Sequence, residues 1–259
     1  LMSLIDPRAI IDPSAVLGDG VHVGPWTLIG PDTVIGAGTV IHSHVVIRGL
    51  TTIGENNQIF QFSTIGEDTP DLKYKGEPTR LEIGDNNTIR EGVTIHRGTI
   101  QDQGLTSIGS NNLLMAYVHI GHDCVVGDNC ILVNNASLAG HVHVGDWAII
   151  SGYALIHQFV SIGAHSFTGA AAYLTQDLPA YVMAAGSPAE AKTINVEGLK
   201  RRGFDRTAIT AIKQGFKILY RQGYGLQDAI GLLDTLAREQ PAVKLLVDSV
   251  RASSRGILR

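Results

Sequence analysis

A six-residue period constrains this chain more than any other feature. From Ile5 an aliphatic residue recurs at every sixth position, through Ile11, Leu17, Val23, Ile29, Ile35, Ile41, Ile47, Ile53, Ile59 and Ile65. The phase returns at Ile83, Ile89 and Ile95. It restarts one residue out of step at Ile108 and runs through Leu114, Ile120, Val126, Leu132, Leu138, Val144, Ile150, Ile156 and Ile162. A helix repeats every 3.6 residues and a strand every two, so six fits neither alone. It fits a short strand and a corner, repeated, with one aliphatic side chain turned inward each time. Gly121, Gly127 and others follow the aliphatic residue, where the backbone must turn. One such unit cannot bury its apolar face; stacked copies make a continuous core. If three six-residue sides close one turn, residues eighteen apart stack at the strand spacing of about 4.8 Å. The expected fold class is mainly β, a parallel β-helix.

Two stretches break the period. Residues 66–82 hold Pro70, Pro78 and a mixture of acids and bases, and Ile65 to Ile83 keeps the phase, so this reads as a loop thrown out of one turn. Surface loops on rigid scaffolds often carry function. The second break, His96 to Leu105, shifts the phase by one. Pro179, Gly186 and Pro188 end the repeat, and from about residue 195 the spacing becomes helical. Asp205 can cap a helix bearing Ile209, Ile212, Phe216, Leu219 and Tyr220, which Gly223 and Gly225 terminate. Ala229, Ile230, Leu233 and Leu236 mark a second helix, and Pro241 opens a third with Val243, Leu246, Val247 and Val250. Two domains are expected: a β-helix over 1–190 and a helical domain over 191–259.

The period also sorts the histidines. Ile120, Leu138 and Ile156 are eighteen apart, so His119, His122, His141 and His157 gather along one edge of successive turns. Such a cluster suits acid–base chemistry, because imidazole titrates near neutral pH, or metal ligation. The net charge of −4 hides an asymmetry. Residues 1–189 hold seven basic and 17 acidic side chains; residues 190–259 hold 13 and seven. A basic tail on an acidic body suggests an acidic or phosphate-bearing partner. No nucleic-acid recognition motif is present, and no run approaches the ~20 apolar residues of a membrane span. The opening residues carry no secretory signal, and Leu1 ahead of Met2 reads as foreign to the natural start. Cys124 and Cys130, six apart, fall on different sides and are not expected to pair, which suits a reducing cytoplasm.

Longer motifs are more specific than the bare repeat. They are Asp71-Leu72-Lys73-Tyr74-Lys75-Gly76-Glu77-Pro78-Thr79-Arg80, Val93-Thr94-Ile95-His96-Arg97-Gly98-Thr99, His119-Ile120-Gly121-His122-Asp123-Cys124, Asn134 to Val142, His157-Gln158-Phe159, and Asn195 to Phe204. Through them the whole chain resembles the UDP-N-acetylglucosamine O-acyltransferases of lipid A synthesis, a family of hexapeptide-repeat enzymes with a left-handed parallel β-helix. The handedness is implied by the resemblance alone. The resemblance implies a cytoplasmic homotrimer with clefts between adjacent solenoids, and transfer of an (R)-3-hydroxyacyl group from acyl carrier protein to the sugar 3-hydroxyl. It implies no metal and no cofactor beyond the carrier thioester. Carried over residue by residue, His122 is the general base, Asp123 orients its imidazole, and the Gly140 N–H stabilises the oxyanion. Asp71 and Lys73 bind the sugar nucleotide. His119, His141, His157 and Gln158 line the cleft. Asn195, Glu197, Arg201 and Arg202 contact the UDP portion or, for the arginines, the acidic carrier. Ala170 stands where glycine accompanies long acyl chains, and so marks the end of the acyl groove. Pro70 replaces a polar residue sometimes found in the family's sugar site.

Three other readings are compatible with the repeat. A gamma-type carbonic anhydrase binds zinc through histidines on the same fold, but needs neither the lysine-bearing loop nor the basic tail. A purely structural solenoid leaves the histidine edge unexplained. A hexapeptide acyltransferase using coenzyme A differs only in its donor.

Overall fold

The computed structural model describes residues 4–259, so the remark on Leu1 and Met2 falls outside the described residues. Strands of mostly two residues alternate with corners and wind into a β-helix. Its three walls are sheet A with 11 strands, sheet B with nine and sheet C with eight. Pairing along the walls is parallel: Ile120 lies beside Leu138, and Leu138 beside Ile156, so the eighteen-residue turn expected from the sequence is the turn the chain makes. The inward aliphatic residues form the core. Ile47, Ile65, Ile95, Ile120 and Leu138 are fully buried, each contributing about 1.5–3 kcal/mol relative to exposure.

The three walls meet at three edges, named here by the sheets they join. From Gly20 on, the third residue of the regular corners sits in the left-handed region. At the BC edge Asp123 (φ 58°), His141 (φ 62°) and Phe159 (φ 66°) share this position in successive turns. At the CA edge, side-chain oxygens of Asn57, Asn87 and Asn112 each accept the backbone N–H one turn on, at 2.8, 2.9 and 2.6 Å, the last from Cys130. Buried amides are thus satisfied internally. Cys124 and Cys130 are buried free thiols, at the BC and CA edges respectively.

Both breaks in the period leave from the BC edge. The first joins Thr64–Glu67 of sheet B to Arg80–Ile83 of sheet C. Ile65 pairs with Ile95, thirty positions on, so twelve residues are added; that is two hexapeptides, which is why the phase survives. The second joins Thr94–His96 to Leu105–Ile108 and adds seven, since Ile83 pairs with Ile108, and seven shifts the phase by one. They occupy the two consecutive turns before that of His122.

Strand structure continues past residue 190. Ala189–Ile194 pairs antiparallel with Val182–Gly186 and closes sheet A. Helix α1, Val196–Arg201, follows; it is too short to leave a periodicity in the sequence. Then come α2 (Arg206–Tyr220), α3 (Leu226–Glu239) and, after a 3₁₀ turn at Pro241–Val243, α4 (Lys244–Ala252). Asp205 caps α2 through Oδ1, which accepts the Ala208 N–H at 2.7 Å. The helices seat on the last turn of the β-helix. Tyr181 donates to the Ala242 carbonyl at 3.0 Å, the Ser253 hydroxyl to Asp177 at 2.7 Å, and the Ala180 N–H to Ser249 at 2.9 Å.

Candidate active site

The BC edge concentrates the chemistry. Its corners in three consecutive turns read Gly121-His122-Asp123, Ala139-Gly140-His141 and His157-Gln158-Phe159, so His122, Gly140 and Gln158 occupy equivalent positions. His122 Nδ1 lies 2.7 Å from Asp123 Oδ2. Asp123 is 2% exposed and accepts twice more, from the Thr99 N–H at 2.8 Å and the Thr99 hydroxyl at 2.6 Å. Burial pushes the Asp123 carboxyl up, but the hydrogen bonds from His122 and Thr99 outweigh it and hold the group below the ordinary carboxylate range. An ionised Asp123 only accepts, so the proton of neutral His122 resides on Nδ1 and Nε2 carries the free lone pair.

Nε2 faces the next turn. A Cβ built on Gly140 would lie 2.6 Å from His122 Nε2 and 2.5 Å from Cε1. Only glycine leaves room for the ring. Among the described residues none accepts the Gly140 N–H, so this donor is free beside the basic nitrogen. His141 is fixed by stacking on Phe159 (4.3 Å, 11°) and stands edge-on to His122 at 5.0 Å. His119 points outward from the neighbouring strand; its Nδ1 is 2.8 Å from the Thr94 hydroxyl, and its ring meets His96 at 5.4 Å. Burial, with His96 and His122 nearby, lowers the His119 pKa. His157 Nδ1 approaches the Gln158 carbonyl at 3.1 Å.

Ligand atoms of His122, Asp123 and His141 lie within 4.8 Å of one another, close enough to share a cation. The Asp123 oxygens, however, already accept three hydrogen bonds, a donor set that fits an orienting carboxylate better than a ligand. Cys124, next in sequence, is no nucleophile. Burial pushes its thiol up to about 12, and Sγ donates to the Ala139 carbonyl at 3.1 Å.

Asp71 and Lys73 lie on the first excursion, which therefore hangs from the same edge as His122. Asp71 Oδ1 accepts the Lys73 N–H at 2.9 Å and tightens the turn between them. The excursion is held by the largely buried Arg97, which donates to the Gly66 carbonyl at 2.6 Å, to Asp68, and to the Tyr74 hydroxyl at 2.8 Å. His96 Nδ1 meets the Asp68 carbonyl at 2.8 Å. His96, Arg97, Thr99 and Tyr74 stand in the motifs quoted from the sequence, but the sequence assigns them no role, because the breaks have no periodicity to give their side chains a direction.

The remaining expected residues sit elsewhere on the prism. Asn195 caps α1, accepting the Gly198 N–H at 3.1 Å and donating to the His165 carbonyl at 3.1 Å. Glu197 pairs with Lys200 at 2.8 Å and Arg201 lies on the last turn of α1. Arg202 lies at the CA edge, over the Trp147 ring at 5.3 Å, with its guanidinium 3.1 Å from His165 Nδ1. Ala170 is exposed at the AB edge. His122, Arg202 and Ala170 therefore lie on three different edges of one copy, with a wall between each pair.

His165 gives a test of these electrostatics. Burial and the Arg202 charge lower its pKa to about 4 from the usual 6.5. The unfolded chain therefore binds a proton that the folded chain refuses between these values. Stability contributed by neutral His165 is complete above about pH 6.5 and is lost as pH falls toward 4. A His165→Gln variant should show a shallower decline in Tm across that window; an unchanged slope would mean that His165 does not titrate as its surroundings dictate.

Known proteins align with this architecture. A family model described as UDP N-acetylglucosamine O-acyltransferase, domain 2, matches residues 177–258. The bacterial transferase hexapeptide model matches 14–49 and 105–140. An acyl-[acyl-carrier-protein]–UDP-N-acetylglucosamine O-acyltransferase from Stutzerimonas stutzeri is 62% identical over 258 residues, covering 100% of both chains. Among solved structures, LpxA from Acinetobacter baumannii superposes with a TM-score of 0.97 at 50% identity, covering 99% of this chain and 100% of that one. The UDP-N-acetylglucosamine acyltransferase of Francisella novicida gives 0.97 at 44% identity, over 99% and 94%.

Proposed function

The chain belongs to the acyl-[acyl-carrier-protein]–UDP-N-acetylglucosamine O-acyltransferase family, and on that premise we propose that it moves an (R)-3-hydroxyacyl group from acyl carrier protein to the 3-hydroxyl of UDP-N-acetylglucosamine, the first step of lipid A biosynthesis. The observation that carries the mechanism is the His122–Asp123 pair poised over Gly140. His122 Nε2 takes the proton from the 3-hydroxyl as its oxygen attacks the thioester carbonyl. The Gly140 N–H donates to the oxyanion that forms; one such donor is worth roughly 3–4 kcal/mol. Collapse breaks the carbon–sulfur bond, and the imidazolium returns its proton to the departing thiolate. Asp123 holds the ring and balances its transient charge. The donor is the carrier thioester itself, with no metal or dissociable cofactor required.

Around this centre, Asp71 and Lys73 hold the sugar nucleotide, with Lys73 near phosphate. His119, His141, His157 and Gln158 line the cleft. Asn195, Glu197, Arg201 and Arg202 meet the UDP portion or, for the arginines, the acidic carrier; the second amide proton of Asn195 remains available for this. The excess of 13 basic over seven acidic residues in 190–259 favours encounter with an acidic carrier protein. The site is completed in a homotrimer, where the BC edge of one copy faces elements of the next. The separation of His122, Arg202 and Ala170 onto three edges of one prism supports that reading. The setting is the cytoplasm, where carrier and nucleotide are made.

The test is acyl transfer to UDP-N-acetylglucosamine from 3-hydroxyacyl carrier proteins of graded chain length, with the matching coenzyme A thioesters alongside. Transfer from the carrier protein supports the reading; transfer from coenzyme A only would reassign the donor. In the same assay Ala170→Gly should shift preference toward longer chains, because removing the methyl group lengthens the groove. An unchanged chain-length profile would remove Ala170 from the groove's end.

A further inference from the structure

The second excursion does more than interrupt the repeat: it braces two imidazoles of the BC edge, those of His122 and His141. Thr99 holds Asp123 through its N–H and hydroxyl, and Thr99 in turn starts a tight turn. Its carbonyl accepts the Asp102 N–H at 3.2 Å and the Gly104 N–H at 2.9 Å, with Gly104 at φ 66°. That turn aims Asp102 across two turns of the solenoid, to His141. Asp102 Oδ2 lies 2.8 Å from His141 Nδ1. The His141 side chain is 11% exposed and that of Asp102 36%. His141 is therefore built as His122 is, with a carboxylate at Nδ1 and Nε2 left over. Its Nε2 is 3.8 Å from Asp123 Oδ2, the oxygen that His122 also uses.

We propose that Asp102 is a positioning residue for the acyl transfer: its carboxylate holds the His141 proton on Nδ1, so that Nε2 is presented to the sugar as a hydrogen-bond acceptor beside His122. An ionised carboxylate can only accept, so the pairing selects one tautomer of neutral His141. The histidine side chain in water prefers the opposite tautomer, with the proton on Nε2; in that form His141 would offer a donor toward the cleft. Stacking on Phe159 and the edge-on contact with His122 fix the ring plane, but neither contact distinguishes the two nitrogens. Asp102 does. The use of His141 on substrate rests on the function proposed above; the tautomer does not.

Two readouts on the full-length protein separate these dependencies. With ¹⁵N-labelled histidine, the His141 ring nitrogens should show the proton on Nδ1 in wild type and in Asp102→Asn, whose amide oxygen still accepts it. Asp102→Ala should move the population toward the Nε2–H form. Asp102→Ala should also raise KM for UDP-N-acetylglucosamine roughly tenfold, as for one lost charge-assisted hydrogen bond, and Asp102→Asn should recover most of that loss. In a His141→Gln background, Asp102→Ala should cost nothing further, because both changes act through the same ring. The proposal is overturned if His141 keeps its Nδ1 proton without Asp102, or if the loss is as large in the His141→Gln background as in wild type. The second outcome would mean that Asp102 merely ties down the excursion. If wild type transfers no acyl group at all, the proposed reaction fails while the tautomer experiment still decides the role of Asp102.

Discussion

Replacing His122 with alanine should lower kcat for acyl transfer by about 10²–10⁴-fold, the usual contribution of a positioned general base, with KM for the sugar nucleotide little changed. A sugar hydroxyl is a poor nucleophile at neutral pH, and at the BC edge only His122 combines a lone pair on Nε2 with a buried, ionised partner on Nδ1. His141 is the neighbouring candidate. Its partner, Asp102, is partly exposed, and the Cβ-free surface of Gly140 lies against His122 instead. The fold should survive the change, since Thr99 continues to satisfy Asp123 with two hydrogen bonds. Steady-state kinetics with a matched melting curve decides the matter. Retention of more than about a tenth of wild-type kcat would fall below the range expected of a general base and would assign proton removal to another group.

Gly140→Ala should be nearly as damaging, for a steric reason. The new Cβ would lie 2.5–2.6 Å from two atoms of the His122 ring, closer than any relaxed contact, and the ring is tied to Asp123 and cannot rotate freely. Either His122 leaves its partner or the 139–141 corner moves, carrying the Gly140 N–H with it. Both displace catalytic groups by a good fraction of an ångström, and misplacement of about 1 Å can cost ~10²-fold. The expected result is a fall in kcat of that order, with a stability cost of about 1–3 kcal/mol for overpacking. Gly231→Ala in α3 is the control: its Cβ would meet nothing within 4 Å, so activity should be unchanged and Tm slightly higher, by the helix propensity of alanine. Wild-type kcat in Gly140→Ala would show that the ring does not work where it stands.

Both expectations draw on a site that was half legible in the sequence. The six-residue period located the walls, the turn length and the shared edge of His119, His122, His141 and His157, because each follows from arithmetic once strands stack in register. Nothing periodic governs 66–82 or 96–105, so the return of Arg97 to the first excursion, of Thr99 to Asp123 and of Asp102 to His141 was invisible. That both breaks leave from the edge of His122 was implicit in the count from Ile65 to Ile95, but only the pairing of those residues makes it plain. Helix α1 has no periodic signature of its own, because six residues cannot display an amphipathic period. Arg202 belongs to a quoted motif, yet its seat on Trp147 and His165 depends on aromatic residues 55 and 37 positions away in sequence, brought close by the CA corners alone.

The corner arrangement also limits how such a site can change. His122, Gly140 and Gln158 belong to consecutive rungs of one ladder, so the distance between their backbones comes in whole steps of about 4.8 Å. No small shift of the scaffold can bring His122 and the Gly140 N–H a little nearer, because a change in one rung would break the pairing of every rung beyond it. Fine adjustment is therefore left to side-chain length at the corners, the role proposed for Ala170, and to excursions that hang outside the ladder and lean back over it. Related enzymes with different acyl or sugar preferences should accordingly differ at corner side chains and in the excursions, while the residues equivalent to His122 and Gly140 stay one rung apart.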